Sequence, residues 1–323
     1  QPRPPRTLGK QKMTMADLPS ADEVAAISEK VSNWGRWGED DERGALNLIT
    51  DAKRAAAAAL VQDGVAVSCA LPLPVQPAAD NPTPVAHHMT TAGDAIDNPR
   101  IAIQSTGDYF AIAPHGMATT HLDALCHVLR EGKMYNGYPA WVVKSSGAEK
   151  NAITVAEDGV VSRGVLLDIP ALRGVEYLEP GERISAADLS TAEEHHGVSV
   201  EPGDILLVRT GRDTRRDALG AWPPFDGMAG LAVDCLPWIR ERDVAVLGSD
   251  GISDVIPSEI EGWLLPIHEV ILPSMGVHLI DNARLGPLAA ACAERGRYAF
   301  QLTIAPLRLE GGTASPINPI ALF

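Results

Sequence analysis

The chain has 323 residues, with 42 Asp and Glu against 27 Lys and Arg, for a formal net charge of −15. That balance argues against a nucleic-acid partner, whose phosphates need clustered positive charge, and fits small polar or apolar substrates better than polyanions. Hydrophobic residues make up 45 % and charged residues 21 %, the composition of a globular protein able to bury a sizeable core.

Residues 1–17 begin basic and Pro-rich ("QPRPPRTLGKQK") and are expected to be a tail, leaving 18–323 as one domain. From Leu18 to Val31 the apolar spacing suits a short helix. "NWGRWGEDDERGALNLIT" follows as a loop packing aromatics. "TDAKRAAAAALVQDG" predicts a helix capped by Thr50 or Asp51 and ended at Gly64. "VAVSCALPL" suits a strand, and "PVQPAADNPTPVAHHM" an extended surface loop. In the second half "RGVLLDIP", "DILLVRTG" and "VAVLGSD" are apolar on both faces, as buried strands should be. Helical stretches alternate with them: "SAADLSTAEEHHG", "AVDCLPWIRERD" and "LGPLAAACAERG". Strands alternating with helices imply an α/β protein with a layered sheet.

Cys69, Cys126, Cys235 and Cys292 have no paired spacing, so they read as buried thiols of a reducing compartment. No run approaches the roughly 18 apolar residues of a membrane span, and the start of the chain has no apolar signal core. A soluble, cytoplasmic protein is the expectation.

Three of the nine histidines fall within "APHGMATTHLDALCHV", Ala113 to Val128, beside an aspartate. On an extended strand His121 and Asp123 share a face. If a helix follows, Asp123 and His127 lie at i and i+4, again on one face. Either geometry converges on a metal site; the bland alternative is core histidines bonded to backbone. His115 lies on the same strand face but about 20 Å from His121 if fully extended, at ~3.3 Å per residue. Only a bend at Gly116 would bring it near.

"TTHLDALCHV" resembles the motif H-x-G-T-H-x-D-x-P-x-H of the putative cyclase, or kynurenine formamidase-like, family of metal-dependent hydrolases. "RGVLLDIP", "EPGDILLVRTG", "VAVLGSDGISD" and "PIHEVILPSMGVHLIDNARL" resemble its later segments in the same order. The resemblance implies a swivelling β/β/α cyclase-like α/β fold with a mixed sheet, and a homodimer or homotetramer. It implies metal ligation by His121, Asp123, His268 and Asp281, with His127 as proton donor and acceptor. His278 falls on no ligand position. Three positions depart from the pattern: Met117 replaces the first histidine, Leu125 the proline, and Asp281 the usual glutamate. Thioether sulfur is a poor ligand for hard or borderline divalent ions. His115 is therefore a replacement ligand, a substrate contact or a structural residue.

Other candidates have plainer readings. His87 and His88 suit a solvated loop or the site mouth, and His195 and His196 a helix C-terminal cap. Asp250 and Asp254 either shape a pocket or cap a turn. Trp34, Trp37 and Trp222 either stack on a substrate or pack. The chain lacks G-x-x-x-x-G-K-[ST], G-x-G-x-x-G and G-x-S-x-G. The expected function is metal-dependent hydrolysis of a small amide, cyclic amide or lactone, with Zn²⁺ first and Mn²⁺ second as the ion. The rival is a non-catalytic small-molecule or metal-binding protein on the same fold, which Met117 favours.

Overall fold

The computed structural model describes residues 18–95, 105–258 and 260–323; the expected tail, 1–17, lies outside them. Nine strands form one mixed sheet. Its centre is four parallel strands, in the order Val160–Asp168, Ile205–Arg209, Val246–Ser249 and His278–Asp281. Beyond His278–Asp281 the antiparallel strands His121–Asp123 and then Ala314–Pro316 complete one edge. On the other side Ala299–Ile304, Ile320–Leu322 and Ala66–Ser68 follow, all antiparallel.

The apolar runs are buried on both faces because alternate residues feed two cores. Val165, Leu206, Leu247 and Leu279 point into one cluster, while Leu166, Ile205, Val246 and Ile280 point into the other. This is the period-2 alternation of a strand covered on both sides. The crossover helices Ala186–His196, Cys235–Glu241 and Pro266–Val270 place Leu189, Leu236 and Ile267 in the first cluster. Helix Gly286–Arg295 packs Leu288 and Cys292 into the second.

Local signals explain most boundaries. Ser20 and Glu23 form a capping box at helix Ala21–Lys30, and Thr50 caps Asp51–Ala58. That second helix stops well before Gly64. The amides of Asp63 and Gly64 instead donate to the Phe323 carbonyl (3.0 and 2.8 Å), tying this segment to the C-terminal strand. The Pro-rich stretch is not all loop: Ala86–Thr91 pairs with Gly107–Ala111 in an exposed two-stranded ribbon. On it His87 pairs with Asp108 at 2.9 Å and His88 packs against Tyr109.

The His195–His196 expectation needs correction. Gly197, at φ 62, caps the helix in the left-handed conformation. His196 is buried, because it follows Leu189 and Ala192 on the inner face of the helix. Its ring stacks on Tyr298, and its Nε2 lies 3.1 Å from the Asp168 amide. All four cysteines are buried and free, as expected. Among the described residues no helix is long and apolar enough to cross a membrane.

Candidate metal centre

His121 and Asp281 face each other in register across antiparallel strands. Their neighbours Leu122 and Ile280 point into the second core, so His121, Asp123 and Asp281 share the opposite face. His121 Nε2 lies 3.3 Å from Asp123 Oδ1 and 4.0 Å from Asp281 Oδ2. His268, from helix Pro266–Val270, brings its Nε2 to 3.4 Å from Asp281 Oδ2 and 3.7 Å from Asp123 Oδ2. The cluster lies beyond the carboxyl end of a parallel strand, where open α/β sheets place their sites.

The bend at Gly116 exists. Its φ of 132° is one that favours glycine, and an added Cβ would meet nothing, so conformation rather than space demands it. Residues 112–120 are therefore not a strand. His115 folds back until its ring centroid is 5.4 Å from that of His121 and its Nδ1 is 3.1 Å from Asp123 Oδ1. His127 follows a turn closed by its amide on Ala124 O (3.0 Å), not a helix, yet it still reaches the site. It stacks on His115 at 3.5 Å between centroids. Among the described residues two ligand groups are geometrically available and share Asp123: His115 with His127, and His121 with Asp281. Met117 packs with Trp222 and Leu265 against Met228, Ile252 and Ile256, an apolar environment suited to a thioether.

Outer contacts fix the rings. His121 Nδ1 lies 2.9 Å from Thr119 O and must donate, which leaves Nε2 facing the carboxylates. His268 Nδ1 lies 2.6 Å from Asp254 Oδ2, and Asp254 also accepts from the amides of Ile267 (2.7 Å) and His268 (3.2 Å). Asp254 thus orients a site histidine, the role its neighbours usually play for metal ligands. Asp250 is a structural acceptor for the Thr210, Gly211 and Arg212 amides. Of the three tryptophans, Trp34 donates to Pro273 O at 2.6 Å, Trp37 packs on the first core, and Trp222 packs with Met117 against Met228, Ile252 and Ile256.

Buried carboxylates and imidazoles set one another's charge here. Burial opposes charge on His121, but Asp123 and Asp281 outweigh it and hold its pKa at about 9. Burial likewise opposes charge on Asp123, yet His121 and His115 keep its carboxyl well below the usual range. His268 is raised well above its ordinary value because Asp281 and Asp254 overcome the burial penalty. His127 is pushed down to about 4, mainly by burial, despite the pull of Asp123. Both Asp123 oxygens and Asp281 Oδ1 are buried without a hydrogen-bond partner among the described residues. Imidazole nitrogens lie 3.1, 3.3 and 3.7 Å from the Asp123 oxygens without bonding geometry. Such orphaned acceptors are costly, and a divalent cation among them would satisfy them. The nitrogen and oxygen donors fit such an ion.

His278 shares the strand but not the site. It is fully buried and neither ring nitrogen has a hydrogen-bond partner among the described residues. Burial pushes its pKa down to about 4, against about 6.5 in an unfolded chain. The unfolded chain therefore binds more protons below pH 6.5, and this residue's contribution to stability is complete above that pH and lost as pH falls toward 4. In metal-free protein, His278→Leu should gain on the wild type by about 2 kcal/mol between pH 7 and 5. Urea unfolding at the two pH values measures it; parallel stability curves would contradict it.

A family model described as putative cyclase matches residues 71–254, more than half of the chain. The solved structure of a novel cyclase is 34 % identical over 90 % of this chain and 99 % of its own, with a TM-score of 0.81. Isatin hydrolase A from Ralstonia solanacearum shares the fold at 20 % identity, over 80 % of this chain and 91 % of its own (TM-score 0.57). So does a predicted metal-dependent hydrolase from Bacillus stearothermophilus, at 17 % identity over 80 % of this chain and 97 % of its own (TM-score 0.50). No curated protein sequence matches the chain. On the family model and the 34 % identical cyclase together, the chain belongs to the putative cyclase family.

Proposed function

We propose that the protein is a metal-dependent hydrolase that opens an amide, cyclic amide or lactone bond of a small molecule. The observation that carries this reading is the pair of buried, unpartnered Asp123 oxygens facing His115, His121 and His268, with Asp281 beside His121 and His268. His121, Asp123, His268 and Asp281 hold a divalent ion, Zn²⁺ before Mn²⁺, with His115 in the place the family motif gives to the residue at 117. When bound, such an ion polarises a carbonyl and makes water a competent nucleophile near neutral pH.

The chain's own groups do the rest. Asp123 and Asp281 supply the negative charge that retains the ion. Asp254 holds the His268 ring through Nδ1, and the Thr119 carbonyl holds His121. His127 is neutral near pH 7, so it first accepts a proton from the attacking water and then returns it to the leaving nitrogen or oxygen. Similarity to an isatin hydrolase fold supports a cyclic amide among the substrates. The non-catalytic reading rested on the loss of a ligand at Met117, and His115 beside Asp123 removes its main support.

Elemental analysis of protein purified without chelator should find at least one divalent transition ion per chain. Chelation should abolish turnover in a screen of small amides, cyclic imides and lactones, and adding the ion back should restore it. Chelated, metal-free protein turning over at the full rate would overturn the reading. Stoichiometric metal with no turnover across the screen would leave the binding-protein alternative.

A further inference from the structure

The segment that carries His115 has no secondary structure, so something else must hold its bend. Its carbonyls are gripped by two buried side chains. Asn282 Nδ2 donates to Gly116 O (2.7 Å) and Thr119 O (3.1 Å), and Arg212 Nη2 donates to Met117 O (2.6 Å). Arg212 Nη1 also donates to Asn282 Oδ1 at 3.2 Å, which joins the two grips. From the loop side, Thr120 Oγ1 returns a bond of 2.6 Å to the Asn282 carbonyl. Arg212 is anchored in turn by buried Asp80 at 3.2 Å, and Asp80 also holds Arg216 at 2.6 Å.

Two details connect this network to the ligands rather than to folding alone. Thr119 O accepts from both Asn282 and His121 Nδ1, so one oxygen links the grip to the orientation of the imidazole. Asn282 also directly follows Asp281, so the same backbone step carries a candidate ligand and the grip on the opposing loop. Its φ of 55° lies in the left-handed region, which Asn tolerates better than most residues. The side chain is entirely buried, and among the described residues it alone donates to two carbonyls of the bend.

We propose that Asn282, held by Arg212, is a positioning residue that clamps the Gly116 bend and thereby sets His115 and His121 over Asp123. The inference rests on the metal reading above. Cobalt(II) is the probe, because its visible absorption reports ligand number and geometry without turnover. Asn282→Gly keeps the left-handed backbone and removes the clamp. Asn282→Asp keeps an acceptor for Arg212 but lacks the donors to Gly116 O and Thr119 O. Both variants should bind cobalt about 10–100-fold more weakly, as loss of a ligand-orienting partner does, and both should shift its visible spectrum. Combined with His115→Ala, Asn282→Gly should add less than its separate effect, because the two act on one unit. Folded variants with wild-type cobalt affinity and spectrum, or fully multiplicative losses with His115→Ala, would overturn the clamp while leaving the metal centre standing. A wild-type chain that takes up no cobalt or other divalent ion would remove both.

Discussion

Asp123→Asn should leave the protein folded and without metal, with hydrolysis near background. Asp123 is the one residue common to both ligand groups among the described residues, and Asn in its place removes one of the site's two carboxylates. It is fully buried with neither oxygen hydrogen-bonded, so its ionised form depends on positive charge supplied within the site. Asn has the same volume, so packing is retained while the charge is lost. The loss of metal affinity should exceed the ~10–100-fold typical of an outer orienting partner. Elemental analysis after dialysis, with kcat/KM on any substrate from the screen, measures both effects. Retention of a full complement of metal would show that Asp123 is not a ligand.

His127→Ala should separate proton transfer from metal binding. If His127 is the general acid and base, the variant keeps its metal and loses on the order of 10²–10⁴ in rate. The ring also stacks on His115, so truncation could loosen that neighbour. His127→Phe preserves a flat ring there and should show the same loss of rate with metal intact. If either variant arrives with depleted metal, His127 belongs with His115 and Asp123 as a ligand, the other assignment their geometry allows. The proton would then have to be moved by another group.

Three of the four parallel strands were legible because each is a short apolar run bounded by Gly, Pro or Asp, and local pattern governs where such runs begin and end. The capped helices were legible for the same reason, whereas His278–Asp281, with His and Asp at its ends, was not read as a strand. His121 and Asp123 were legible as a same-face pair because strand alternation places them so over only two residues. The resemblance supplied His268 and Asp281, and register with His121 explains how Asp281 arrives. The helix end expected at Gly64 and the cap expected at His196 were misread. In both places a distant partner decided the outcome, the Phe323 carbonyl in one and the Asp168 backbone with Tyr298 in the other.

Sequence alone determined the α/β class, the paired faces of the sheet strands and the concentration of ligand-type residues between His115 and His127. Those features depend on periodicity and on residue chemistry within a few positions. It left His115 undecided, because a chain from 115 to 121 can span about 20 Å or almost nothing, according to one glycine dihedral. Tertiary structure decided that question with groups remote in sequence: Asn282 and Arg212 hold the bend, and Thr313 Oγ1 lies 3.0 Å from His115 Nε2. It also packed Met117 with Trp222 against Met228 and Ile256. The physical reason is that backbone carbonyls in an irregular segment have no partners of their own, so its shape is set by whichever buried donors the rest of the fold presents.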